Sequence, residues 1–81
     1  MTWFVYMALC ADKSIYTGIT TNVQRRFNEH KKGTGAKYTR AKQIIKIIYK
    51  EEHPDRGSAL RREMEIKKWG REKKLKLANS R

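Results

Sequence analysis

The chain reads as an α+β protein: a small three-stranded antiparallel sheet flanked by helices, in the order β-β-α-β-α with a short C-terminal helix. Three observations predict this class. Two apolar-aromatic runs are separated by a short polar turn, a third run is rich in β-branched side chains, and two stretches of helical period are bounded by capping residues and glycines. The chain has 81 residues, which suits one domain over residues 1–81 with one modest core.

Trp3 to Cys10 is apolar and aromatic, Ala11-Asp12-Lys13 supplies a polar turn, and Ser14 to Ile19 returns with β-branched and aromatic residues. A three-residue turn sets Cys10 opposite Ser14, Ala8 opposite Tyr16 and Tyr6 opposite Gly18, so that Tyr6 and Tyr16 emerge on one side of the sheet. An even-numbered turn would separate them. Asn22 stands where an N-cap belongs, and Val23, Phe27 and His30 recur at i, i+4 and i+7, predicting a helix from about Val23 to Lys32 that Gly33 ends. Arg26 and His30 are neighbours on the flank of its apolar stripe. Residues 33–40, Gly-Thr-Gly-Ala-Lys-Tyr-Thr-Arg, read as a surface loop with an aromatic between cations.

A third strand is expected over Gln43 to Glu51, where Ile44, Ile45, Ile47, Ile48 and Tyr49 form a nearly continuous run of the kind found in a central strand covered on both faces. His53, beside Pro54 in a turn, reads as surface decoration. Ser58 is the expected cap of a second helix that runs through Trp69 to Gly70. Ala59, Leu60, Ile66 and either Trp69 or Met64 outline its apolar arc. Glu63 falls inside that arc, about 40° from Ala59 on a helical wheel. A carboxylate on a buried face needs a cation or donors, and Lys67 and Arg26 are the candidates. Arg71 to Arg81 carries Leu75 and Leu77 among lysines, a docking helix or a basic tail.

Twenty Lys and Arg against eight Asp and Glu give a formal net charge of +12. Such a field is best explained by an anionic polymer as partner, nucleic acid first. No segment approaches the roughly 20 apolar residues of a spanning helix, and Met1 to Cys10 lacks the features of an export signal, so no membrane partner is expected. The single cysteine, Cys10, favours a reducing cytoplasm and a packing role. Individually, the chemical candidates have plain structural explanations. Tyrosines are common in strands, one arginine among many cations means little, a histidine beside an apolar stripe usually packs or caps, and runs such as Lys67-Lys68 and Lys73-Lys74 are usually solvated faces.

The ordered combination is more telling. Phe4-Val5-Tyr6 in one strand, Tyr16-Thr17-Gly18 in the next, Arg26 in the following helix, His30 one turn later and Glu63 in a downstream helix together resemble the GIY-YIG nuclease domain, from Trp3 to about Leu77. The likeness is greatest to the small single-domain bacterial members, which also resemble the nuclease domain of structure-specific junction-resolving enzymes that act in DNA repair. The chain departs from the pattern at Phe4 and Val5, which replace the leading glycine and isoleucine, and at Thr17, which replaces the middle isoleucine.

The resemblance implies a DNA endonuclease that uses a divalent metal, Mg2+ or Mn2+, with Glu63 as its only protein ligand. It implies that Arg26 binds the non-bridging phosphate oxygens, that Tyr6 or Tyr16 helps deprotonate the attacking water, and that His30 orients a tyrosine or the water or joins the proton relay. Lys32, Lys37, Arg40 and Lys42 would then track the nucleic-acid backbone, and Tyr38 would stack on an unpaired base. No sequence-reading module is evident, so specificity is expected for DNA shape, branched or nicked, or from a protein partner. The alternatives are a nucleic-acid-binding module of the same fold with weak or lost catalysis, and an adaptor for an acidic protein.

Overall fold

A computed structural model describes residues 1–31 and 43–80. The elements follow the expected order: β1 (Trp3–Cys10), β2 (Ile15–Thr20), α1 (Val23–Lys31), β3 (Ile44–His53), α2 (Arg56–Lys67) and α3 (Arg71–Asn79). The strands form one antiparallel sheet of order β2-β1-β3. Among the described residues no helix is long and apolar enough to cross a membrane.

The β1–β2 turn has the odd length that the shared tyrosine face requires. The Cys10 amide donates to the Ser14 carbonyl at 2.9 Å, and the Lys13 amide to the Cys10 carbonyl at 2.9 Å. Lys13 takes a left-handed conformation at φ 69°, the third position of a three-residue hairpin loop. The Asp12 carboxylate accepts from the Ser14 amide at 2.9 Å. Tyr6 therefore pairs with Gly18, and Ala8 with Tyr16.

The expected central strand is displaced. β1 occupies the middle of the sheet and β3 lies at an edge. Val5, Tyr6, Met7 and Ala8 are consecutive and all buried, as a strand covered on both faces demands, whereas Ile45 in β3 is 51% exposed. The isoleucine run misleads because β3 is bulged. Met7 pairs with Tyr49 while Ala8 pairs with Ile47, and Leu9 pairs with Lys46 while Cys10 pairs with Ile44. Ile48 and Ile45 are thus extra residues that break the alternation. Bulges of this kind are characteristic of sheet edges.

The two faces of the sheet are covered separately. Ala8, Cys10 and Ile44 are buried with Phe27 of α1 and Ile47 packed against them. On the other face Val5, Met7 and Tyr49 are buried with Ala59 and Ile66 of α2, and Trp69, Leu77 and Ala78 close the cluster. The C-terminal stretch is thus a docked helix. Trp69 joins the buried arc, while Met64 is exposed.

The cap of α2 is Asp55 in place of Ser58. The Asp55 carboxylate accepts from the Ser58 amide at 2.7 Å, because a carboxylate three residues earlier satisfies the first free amides and carries charge suited to the helix N-terminus. α2 ends at Lys67, and Gly70 serves as the N-cap of α3. His53 is the last residue of β3, half-buried, and its imidazole lies 2.6 Å from the Glu51 carboxylate.

Candidate active site

Two elements bring four of the predicted residues together. The odd hairpin sends Tyr6 and Tyr16 to the face covered by α1, and the N-cap of α1 sets the angle at which Arg26 and His30 approach that face. Asn22 forms that cap, its side-chain oxygen accepting from the Arg25 amide at 2.9 Å. The Tyr6 and Tyr16 rings are 6.0 Å apart between centroids. Tyr16 and His30 meet edge to face at 5.4 Å, and Tyr6 Oη lies 3.4 Å from His30 Nε2. Against the effect of burial, the neighbouring Tyr6 and Tyr16 help to raise the pKa of the Arg26 guanidinium, which pairs with Glu29 at 3.4 Å.

Gly18 makes this convergence possible. A Cβ at residue 18 would lie 2.9 Å from Tyr6 Oη and 3.0 Å from Tyr16 Cε2, so only a residue without a side chain lets both phenols cross β2 here. Tyr6 and Tyr16 nevertheless differ. Tyr6 is 1% exposed and Tyr16 is 38% exposed. Burial, with the neighbouring Tyr16, raises the Tyr6 pKa well above the ordinary phenol value despite the opposing influence of Arg26. Burial, followed by the charge of Arg26, holds the His30 imidazole below its usual value against the pull of Glu29. At neutral pH the site thus contains a protonated inner phenol, a neutral imidazole, a fixed cation and an outer phenol open to solvent.

A model of the GIY-YIG catalytic domain matches residues 2–76. The chain belongs to the GIY-YIG family. It is 49% identical over 75 residues to a UPF0213 protein of Haloquadratum walsbyi, covering 93% of this chain and 84% of that one. It is 44% identical over 78 residues to a UPF0213 protein of Staphylococcus haemolyticus, covering 96% and 95%. The solution NMR structure of a UPF0213 protein from Bacillus halodurans superposes with a TM-score of 0.63 at 40% identity, over 100% of this chain and 86% of the other.

Glu63, the metal ligand expected of a GIY-YIG domain, lies elsewhere in the described contacts. It is carried by α2, which packs on the Val5 and Met7 face. Its side chain is 13% exposed and lies 3.8 Å from Lys67 Nζ. Of the two partners expected for it, Lys67 is the one observed, and Arg26 pairs with Glu29 instead. Among the described residues no group of three or more His, Cys, Asp or Glu is arranged to hold a metal. The single Glu63 carboxylate is the kind of oxygen donor that a hard cation takes along with water or phosphate oxygens. Lys67 is largely exposed and can swing away from the carboxylate.

Lys32, Lys37, Tyr38, Arg40 and Lys42, predicted to track the backbone of the nucleic acid, lie outside the described residues. The sequence reading did not anticipate Glu29 as partner of Arg26, although its i, i+3 spacing signals it. Nor did it anticipate the network around Glu51. That carboxylate lies 2.5 Å from Tyr49 Oη, 2.6 Å from His53 and 3.1 Å from Arg62 Nε. The alternation of Tyr49, Glu51 and His53 along one strand was the available signal.

Proposed function

We propose that this GIY-YIG domain is a metal-dependent endonuclease that hydrolyses DNA phosphodiesters and selects its substrate by shape. The observation that carries the reading is the convergence of Tyr6, Tyr16, Arg26 and His30 over Gly18. Arg26 holds the non-bridging oxygens of the scissile phosphate, where a planar guanidinium matches the charge that grows in the transition state. Tyr16, open to solvent, meets the attacking water. Tyr16 takes the proton from that water and hands it to the neutral His30 imidazole packed against it, while Tyr6 keeps its own proton and holds Tyr16 and His30 in place. A divalent cation, held through Glu63, would supply Lewis-acid stabilisation of the leaving oxygen when bound. The free, buried Cys10 is in keeping with a reducing cytoplasm.

The test is to incubate the protein with flapped, branched and nicked DNA in Mg2+ or Mn2+. Cleavage that Glu63→Gln abolishes is expected, and a wild-type protein that cuts none of them contradicts the proposal. A second reading, a nucleic-acid-binding module without catalysis, is favoured by one observation: the described contact of Glu63 is with Lys67 and not with the tyrosine cluster. It predicts salt-sensitive DNA binding unchanged by Glu63→Gln, with no nicking.

A further inference from the structure

The corner between α2 and α3 lies on the side of the sheet away from the tyrosines, and its charge is unbalanced. From residue 61 to residue 76 there are eight cations, Arg61, Arg62, Lys67, Lys68, Arg71, Lys73, Lys74 and Lys76, against Glu63, Glu65 and Glu72. Two of the three acids are already engaged: Glu65 lies 2.6 Å from Arg62 and Glu63 3.8 Å from Lys67. Glu72 remains in the first turn of α3. Arg61, Lys68, Arg71, Lys73 and Lys76 are all exposed. A domain of this size concentrates so much like charge on one corner at a cost in self-repulsion, which a polyanion would relieve.

The corner is also shaped and held. Trp69 packs its ring into the core beneath and serves as a pedestal for two cations, Lys73 at 4.3 Å and Arg62 at 5.2 Å from the ring centroid. Lys73 is therefore confined over an aromatic face and does not sweep freely through solvent. Arg71 donates to the Lys13 carbonyl, which fastens the start of α3 to the β1–β2 turn. Two shallow grooves meet at this point. One is lined by Arg61, Met64, Lys68 and Trp69 with Glu65, the other by Gly70, Arg71, Lys73 and Lys76 with Glu72. At Gly70 an added Cβ would meet nothing within 4 Å, so the backbone between the grooves is open.

From this juxtaposition we infer that the α2–α3 corner is a second nucleic-acid contact surface, which binds phosphates through Lys68, Lys73 and Lys76 on the far side of the sheet from the Tyr6–Tyr16–Arg26–His30 cluster. The inference rests on the reading that the partner is nucleic acid, but not on catalysis. The corner and the tyrosine cluster are carried on opposite faces of the sheet, an arrangement suited to two segments of one bent or branched nucleic acid.

The test is binding of a fluorescein-labelled DNA duplex by anisotropy across a salt series. It compares wild type, Lys68→Gln/Lys73→Gln/Lys76→Gln, and a charge-matched control, Lys13→Gln/Lys46→Gln/Arg56→Gln, also exposed. Each phosphate contact contributes about 0.9 to the slope of log K against log salt. The corner variant is expected to lose about 2–3 from the slope and the control less than about 1, with circular dichroism unchanged in both. On DNA that the wild type cuts, the corner variant is expected to raise KM and leave kcat unchanged. Equal losses in corner and control variants, or a corner variant that binds like wild type, would overturn the inference. So would loss by the corner variant of binding to phosphatidylserine vesicles alone, with DNA binding intact. Loss of slope in a protein that binds DNA but does not cut it supports the surface and overturns only the nuclease reading.

Discussion

Thr17 carries a local cost. It is 3% exposed, and its hydroxyl is a buried group without a hydrogen-bond partner among the described residues. It points to the Met7 face, where an isoleucine would be at ease. Thr17→Val keeps the shape and removes the unpaired hydroxyl, so it is expected to stabilise by about 1–2 kcal/mol, read as a rise of about 4–8 °C in Tm per kcal/mol. Gly18, the next residue, shows the opposite sensitivity. Gly18→Ala places a methyl against both phenols and must move them; cleavage should fall by 100-fold or more, about what misplacing a proton-transfer group costs, while circular dichroism stays native. Neither effect was legible from residue type alone. The hairpin register set Tyr6 over Gly18, but that the hydroxyl rests where a Cβ would be is a matter of a fraction of an ångström.

Among the elements, β3 shows best where the sequence could be read and where it could not. Its existence was plain from the isoleucines, but its continuation to His53 and its place in the sheet were not, because a run that two bulges carry along an edge looks the same in one dimension as a run buried on both faces. What fastens this edge to α2 is Glu51. Its burial would raise its pKa, yet hydrogen bonds from Tyr49, His53 and Arg62 hold it below the usual carboxylate value. Arg62 leads from that carboxylate to Glu65 and Trp69, so the network reaches from strand to helix. Glu51→Gln keeps the size and removes the charge that three donors share. It is expected to destabilise by about 1–3 kcal/mol, measured as a lower urea midpoint with an unchanged m-value. An unchanged midpoint would mean that the network is incidental to holding β3.

At the scale of the whole molecule, the ionisable groups set a direction for stability with pH. His30 binds its proton less readily in the folded chain than at the ordinary value of 6.5. The unfolded state therefore takes up protons first as pH falls through that value, and stability falls with it. Glu51 acts at lower pH with the same sign: its folded pKa lies below 4.5, so its contribution is present above 4.5 and is lost as pH falls through the folded value. Tm should thus decline from pH 7 towards pH 5, and then further in stronger acid. In His30→Gln the first decline should flatten; a full decline in that variant would place its origin elsewhere. The element order and the adjacency of Arg26 and His30 on α1 were readable in the sequence, because period and caps are local, and the shared face of Tyr6 and Tyr16 was readable on the condition of an odd turn, which the structure supplies. The relation of Glu63 to those four was not, because a helical wheel fixes the side of the helix and says nothing of the face of the sheet on which that helix lies.

The most direct test of the cleavage centre is the single-turnover rate on flapped DNA with Mg2+ for wild type, Tyr6→Phe and Tyr16→Phe, with binding measured in parallel. The predicted result is cutting by wild type and a loss of about 100- to 10,000-fold in Tyr16→Phe, a loss in Tyr6→Phe, and DNA affinity unchanged in both. Cleavage by the Tyr6→Phe/Tyr16→Phe double variant at the wild-type rate, or a wild type that binds DNA and never cuts it, would contradict the assignment of these residues to catalysis.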